Sequence, residues 1–169
     1  MHNRFIFAGI ACLIGLGFSG PSVNAQESKK SPLVDFEIID MIETKAIQNS
    51  LTGERGDPVR GEQAMINRKK GNCLACHRVG LFDKKSKSDP NKYGDMGDVG
   101  PELDGVATRY TEGQLRLLLV DVKQIFPETI MPSFYRVQNL NRVLSEFENK
   151  PILSAGDVED ILSFLMTLK

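Results

Sequence analysis

The chain has 169 residues, 41% of them hydrophobic and 25% charged, with a formal net charge of −1. That near-neutral balance excludes the strongly basic class of nucleic-acid-binding domains. The length suits a single domain.

In chain order, MHNRFIFAGIACLIGLGFSGPSVNA (1–25) carries Arg4, an apolar run from Phe5 to about Phe18, and a small-residue close at Val23-Asn24-Ala25. This layout predicts a secretory signal peptide cut before Gln26. The run falls short of the roughly 20 apolar residues that span a bilayer as a helix. Cys12 is discarded with it, and no later apolar run reaches membrane length. The expected product is a soluble periplasmic protein with no membrane anchor.

Residues 26–52 open polar and continue as VDFEIIDMIETKAIQNSL, where Ile38, Met41, Ile42 and Ala46 fall on one helical face. They are expected to form an N-terminal helical extension, followed by a main domain over 53–169. After the break TGERGD, Asp57-Pro58 reads as cap and first-turn residue of a helix from Pro58 to about Lys69. Residues 81–99 read as loop, being polar and rich in Gly and Asp. A third helix starts near Thr111, with Leu115, Leu118, Leu119 and Val122 as its buried face. A loop with Pro127 and Pro132 leads to a short helix near Asn139 to Phe147. Ser154 then caps a final helix with the stripe Val158, Ile161, Leu162, Leu165 and Leu168. With no strand and no repeat, the fold class is all-α.

Between the second and third helices lies GNCLACH, residues 71–77. C-x-x-C-H is the spacing of haem c attachment. Two thiols, Cys73 and Cys76, add across the two vinyl groups of one porphyrin, and His77 is held under the iron as an axial ligand. Three competing uses fit less well. A zinc site needs three or four ligands, and beyond the leader the chain has only these two cysteines and this one histidine. A thioredoxin-like dithiol belongs to an α/β pattern absent here. A structural disulfide across two spacers is strained. One covalent haem c is therefore expected.

The sixth iron ligand cannot be a second imidazole, which leaves Met and Lys. Met41, Met65 and Met166 lie on predicted helices, where core packing is the ordinary role of methionine. Met96 belongs to the polar stretch before Pro101. Met131 sits in the loop PETIMPSF with Pro132 stiffening the backbone behind it, and is the expected ligand. A filled coordination sphere makes electron transfer the expected role, rather than chemistry on a bound substrate.

The sequence resembles the class I c-type cytochromes and, more narrowly, the SoxX family, the monohaem subunits of the SoxAX sulfur-oxidising cytochromes. The stretches that carry the resemblance are SLTGERGDPVRG, GNCLACH, GDVGPELDGVATRY, LRLLLVD, TIMPSFYRV and KPILSAGDVEDILSFLMTLK, in order over most of residues 50–169. The resemblance implies a class I cytochrome c fold wrapped around the haem, with the N-terminal helix as an addition. It implies that Cys73 and Cys76 hold the porphyrin, that His77 and Met131 ligate the iron, and that the Pro101 carbonyl binds the other nitrogen of His77. Gly61 and Phe164 would meet where the first and last cytochrome helices cross. The segment from Gly61 to Cys73 is longer than the class I pattern and no aromatic follows Gly61, so Met65 and Ile66 are expected to fill that space.

The resemblance further implies a heterodimer with a SoxA-type cytochrome, on which thiosulfate is joined oxidatively to a carrier-protein cysteine. In that L-cysteine S-thiosulfotransferase this chain would supply no catalytic residue, and would pass electrons to a downstream cytochrome. The alternative is a free-standing periplasmic shuttle, and a haem sensor is a third class. The run Lys84 to Lys87 reads as solvated charge or a docking patch. The N-terminal helix around Val34 to Leu51 would bind a partner or pack on its own domain.

Overall fold

The computed structural model describes residues 33–41 and 44–169. The expected signal peptide and its expected cleavage site, Cys12 and Ile42 lie outside the described residues. In order, the elements are the short strands β1 (Ile39–Asp40) and β2 (Lys45–Ala46), then helices α1 (Pro58–Ile66), α2 (Gly80–Ser86), α3 (Pro90–Tyr93), α4 (Val106–Arg109), α5 (Glu112–Asp121) and α6 (Ala155–Leu165). Three short 3-10 turns cover Cys73–Ala75, Val122–Gln124 and Ser145–Phe147.

The helices foreseen from their caps are present. Asp57 accepts from the Val59 and Arg60 amides at 2.7 and 3.1 Å, with Pro58 at the first turn of α1. Thr111 and Gln114 form a reciprocal capping box on α5, and Ser154 and Asp157 form one on α6. α1 stops at Ile66, short of Lys69. Asn67 turns extended at ψ 116°, and its side chain accepts from the Lys69 amide at 2.9 Å, which offers the backbone an alternative to the helix.

α1 and α6 cross at close range. A Cβ on Gly61 would overlap the Asp160 carbonyl of α6. Arg60 locks the crossing, its Nε and Nη2 each donating to an oxygen of Asp160 at 2.8 Å. Phe164 lies one turn further along α6, its ring stacked on Phe82 at 5.6 Å. Met65 is buried in the core beside the crossing, and Ile66 packs partly buried against it. Because backbone, not a flexible side chain, obstructs Gly61, Gly61→Ala is expected to cost about 2–3 kcal/mol. Urea unfolding of the variant checks this, and a loss below about 0.5 kcal/mol would mean the helices part easily.

Three expectations are corrected. The stretch Val34–Leu51 is no helix: β1 and β2 pair antiparallel, Ile39 with Ala46 and Asp40 with Lys45, and the flanking described residues run without helix. Tertiary partners satisfy this backbone directly. The Ile47 amide donates to the Gly113 carbonyl at 3.0 Å, Arg116 donates to the Ile47 and Gln48 carbonyls, and the Val34 amide reaches the Tyr135 hydroxyl at 2.7 Å. The segment packs on its own domain through Ala46, Ile47 and Leu51, whereas Met41 is 40% exposed. Residues 81–99 are not loop throughout, since α2 and α3 are anchored by stacked Phe82 and Tyr93, ring centroids 4.7 Å apart. Lys84 falls within α2 and Lys87 just after it, exposed. Between Asn139 and Phe147 there is only the turn Ser145–Phe147, because Asn139 and Arg142 adopt positive φ of 54° and 58°.

α5 is buried nearly all round. Its stripe Leu115, Leu118, Leu119 and Val122 lines a cleft, while Leu117 and Val120 are fully buried in the core cluster. α5 thereby contributes to both the core and the wall of the cleft.

Candidate cofactor cleft

The cleft has a volume of about 910 Å³, and Cys73, Cys76, His77, Pro101 and Met131 all line it. The remaining wall is largely aliphatic and aromatic, from α5, α6 and the loop leading to Phe134.

Local backbone sets the cysteine wall. Asn72 takes the left-handed conformation (φ 47°), and the Cys73–Ala75 turn follows, closed by the His77 amide donating to the Cys73 carbonyl at 2.9 Å. Leu74, between the cysteines, points into the core. The two cysteines are not joined as a disulfide. Burial pushes the Cys73 thiol up to about 12, the reverse of the lowered pKa that makes a dithiol reactive as a thiolate. A thioether has no proton to lose, so the same burial does not oppose it.

His77 is oriented through its far nitrogen. Nδ1 lies 2.7 Å from the Pro101 carbonyl, and since a carbonyl only accepts, the proton is on Nδ1. Nε2 is thereby left with a free lone pair. The ring is held flat against Gly100, where a Cβ would overlap it. The Pro101 loop is itself braced. Arg109 donates to the Asp104 and Glu102 carbonyls at 2.6 and 2.7 Å, and Asp104 accepts from the Gly80 amide at 2.6 Å. Sequence reasoning missed Gly100, Asp104 and Arg109. The Gly before Pro101 was the one local signal for the close approach.

Met131 is half-buried, its amide donating to Thr129 Oγ1 at 3.2 Å. Among the described lining residues the other methionine is Met65, which belongs to the core side of α1. The Met96 sulfur is turned to the Val79 amide at 3.4 Å, and neither Met41 nor Met166 lines the cleft. Lys70 is the only lysine among those lining residues, and its Nζ is paired with Asp157 at 2.6 Å.

This donor set fits a covalently held haem. Two cysteines at the two-spacer separation and not bridged to each other, an imidazole turned by its Nδ1 bond to Pro101 and a loop thioether share one apolar cleft. No group of three or more His, Cys, Asp or Glu side chains suited to a bare metal ion occurs among the described residues.

No family model matches the sequence, and no curated protein matches it. Among solved structures, the crystal structure of SoxXA from P. pantotrophus is similar to this chain, at 36% sequence identity and a TM-score of 0.65. The alignment covers 79% of this chain and 95% of that one. With identity of this degree over nearly the whole of the matched chain, and with the motif stretches falling on the cleft, the protein belongs to the SoxX family of cytochromes.

Proposed function

We propose that this chain is the haem c-bearing electron-transfer subunit of a periplasmic SoxA-containing cytochrome complex that oxidises thiosulfate. The observation that carries the reading is the shared cleft: His77, fixed through Pro101, opens on the same apolar space as Cys73, Cys76 and Met131. A haem bound there supplies one-electron redox chemistry at its iron. The protein's own residues do the rest. Cys73 and Cys76 would hold the porphyrin covalently, His77 Nε2 and Met131 Sδ would serve as donors to its iron, and the Pro101 bond would strengthen imidazole donation. Among the described lining residues His77 is the one imidazole and Cys73 and Cys76 are the thiols, and all three are assigned here to the haem.

Ile130, Val99 and Phe126 add to the apolar lining of the cleft. The similarity to SoxXA supports a SoxA-type partner, and a downstream cytochrome is the acceptor this reading proposes. No helix among the described residues is long and apolar enough to cross a membrane.

Native purification is expected to yield this chain with a SoxA-type cytochrome in equal amount, identified by mass. Recovery as a lone monomer at all concentrations would instead favour the free shuttle. Cys73→Ser with Cys76→Ser is expected to leave no haem on the denatured polypeptide, read by haem staining of a denaturing gel. Full retention of stain would refute thioether attachment.

A further inference from the structure

We infer that Asp121 is a positioning residue for Met131: its buried carboxylate anchors the segment that carries the thioether and sets how firmly the sulfur is held in the cleft. The inference rests on the reading of Met131 as an iron ligand.

Asp121 is the last residue of α5 and 1% exposed. A carboxylate there is unfavourable twice over, being withdrawn from water and placed at the negative end of a helix dipole. Three groups offset this. The Ser133 hydroxyl donates to Oδ1 at 2.7 Å, and the Gln124 amide donates to Oδ2 at 3.0 Å. Arg136 Nε lies 3.1 Å from Oδ2, its N–H not aligned as a hydrogen bond, so its attraction is Coulombic.

Two of these three, Ser133 and Arg136, belong to the segment just past Met131. The same segment is registered on α5 by the Phe134 amide donating to the Leu119 carbonyl and the Arg136 amide to that of Val120. On the other side of Met131, Lys123 donates to the Thr129 carbonyl at 2.6 Å, and Thr129 Oγ1 receives the Met131 amide. Met131 is thus suspended between two ties to the end of α5. Lys123 is exposed and Asp121 buried, so the Asp121 tie is the less screened and the stronger.

The test uses the full-length, haem-loaded ferric protein titrated with imidazole, which competes for the position of Met131. Asp121→Asn is expected to bind imidazole about tenfold more tightly or better, the loss of one charged hydrogen bond. Its reduction potential should fall, and its far-red sulfur-to-iron absorption should weaken. Ser133→Ala should move in the same direction by less, and Ser133→Thr, which keeps the hydroxyl, should behave as the parent. Tyr93→Phe, which removes the 2.8 Å Tyr93–Glu62 hydrogen bond, should lower the melting temperature without changing imidazole affinity. Unchanged imidazole binding in Asp121→Asn and Ser133→Ala, or an equal gain in Tyr93→Phe, would overturn the inference. If Asp121→Asn does not fold, the Ser133 pair decides alone. A parent protein that lacks the sulfur band and binds imidazole as Met131→Ala does would end the Met131 reading and this inference together. That outcome is distinct from an intact band with a silent Asp121.

Discussion

Arg116→Met should destabilise the folded protein by about 3–5 kcal/mol, the cost of leaving one member of a buried ion pair uncompensated. Arg116 meets Glu159 through two bonds, Nε to Oε1 at 2.8 Å and Nη2 to Oε2 at 3.1 Å. Both side chains are 3% exposed. Burial alone would lower the Arg116 pKa, but the Glu159 and Glu112 carboxylates outweigh it and the net direction is upward. The guanidinium also serves the Ile47 and Gln48 carbonyls, and Glu159 receives the Leu51 amide at 2.9 Å. The pair therefore fastens residues 47–51 across α5 and α6. Removing the arginine leaves a buried carboxylate and two carbonyls without their donor. The double variant Arg116→Met with Glu159→Leu should recover part of the loss, because no lone charge remains while the Leu51 amide and the Ile47 and Gln48 carbonyls still lack their partners. Urea unfolding of the two variants beside the parent measures both terms. A single-variant loss under about 1 kcal/mol would show that water reaches the site.

What the sequence made legible follows the range of the forces involved. The caps of α1, α5 and α6 act over three residues, so Asp57, Thr111 and Ser154 announced their helices. The residues before Leu51 have an apolar spacing that suits a helix, yet what fixes them is Gly113, Arg116 and Tyr135, far along the chain. α2 and α3 depend on one aromatic each, Phe82 and Tyr93, set in polar surroundings that mask any periodicity. The site divides the same way. Cys73, Cys76 and His77 fall within five positions, so their spacing reads directly. The brace of Asp104 and Arg109 under Pro101, and the Asp121 tie behind Met131, are side-chain contacts between segments that no local pattern connects.

Met131→Ala should leave the haem covalently attached, lower the reduction potential and open the iron to added ligands. On the proposed reading attachment depends on Cys73 and Cys76, which the substitution does not touch. The fall in potential follows from ligand character, because a neutral, soft thioether favours the reduced iron and its loss removes that preference. The loop itself should survive the change. Lys123 and Thr129 hold it upstream, and Ser133, Phe134 and Arg136 hold it downstream through contacts that do not involve the methionine side chain. Thermal stability of the variant therefore separates loss of a ligand from loss of the loop. A near-parental melt with a lower potential and new imidazole binding is the expected combination. An unchanged potential and far-red spectrum would place the sulfur elsewhere, and Met65 would then be the described methionine to test, since it too borders the cleft. A parent that binds imidazole readily would speak for a sensor, because a wire needs both axial positions filled before and after each electron. The two roles thus differ in one measurable quantity, the ease with which a small base displaces the Met131 sulfur.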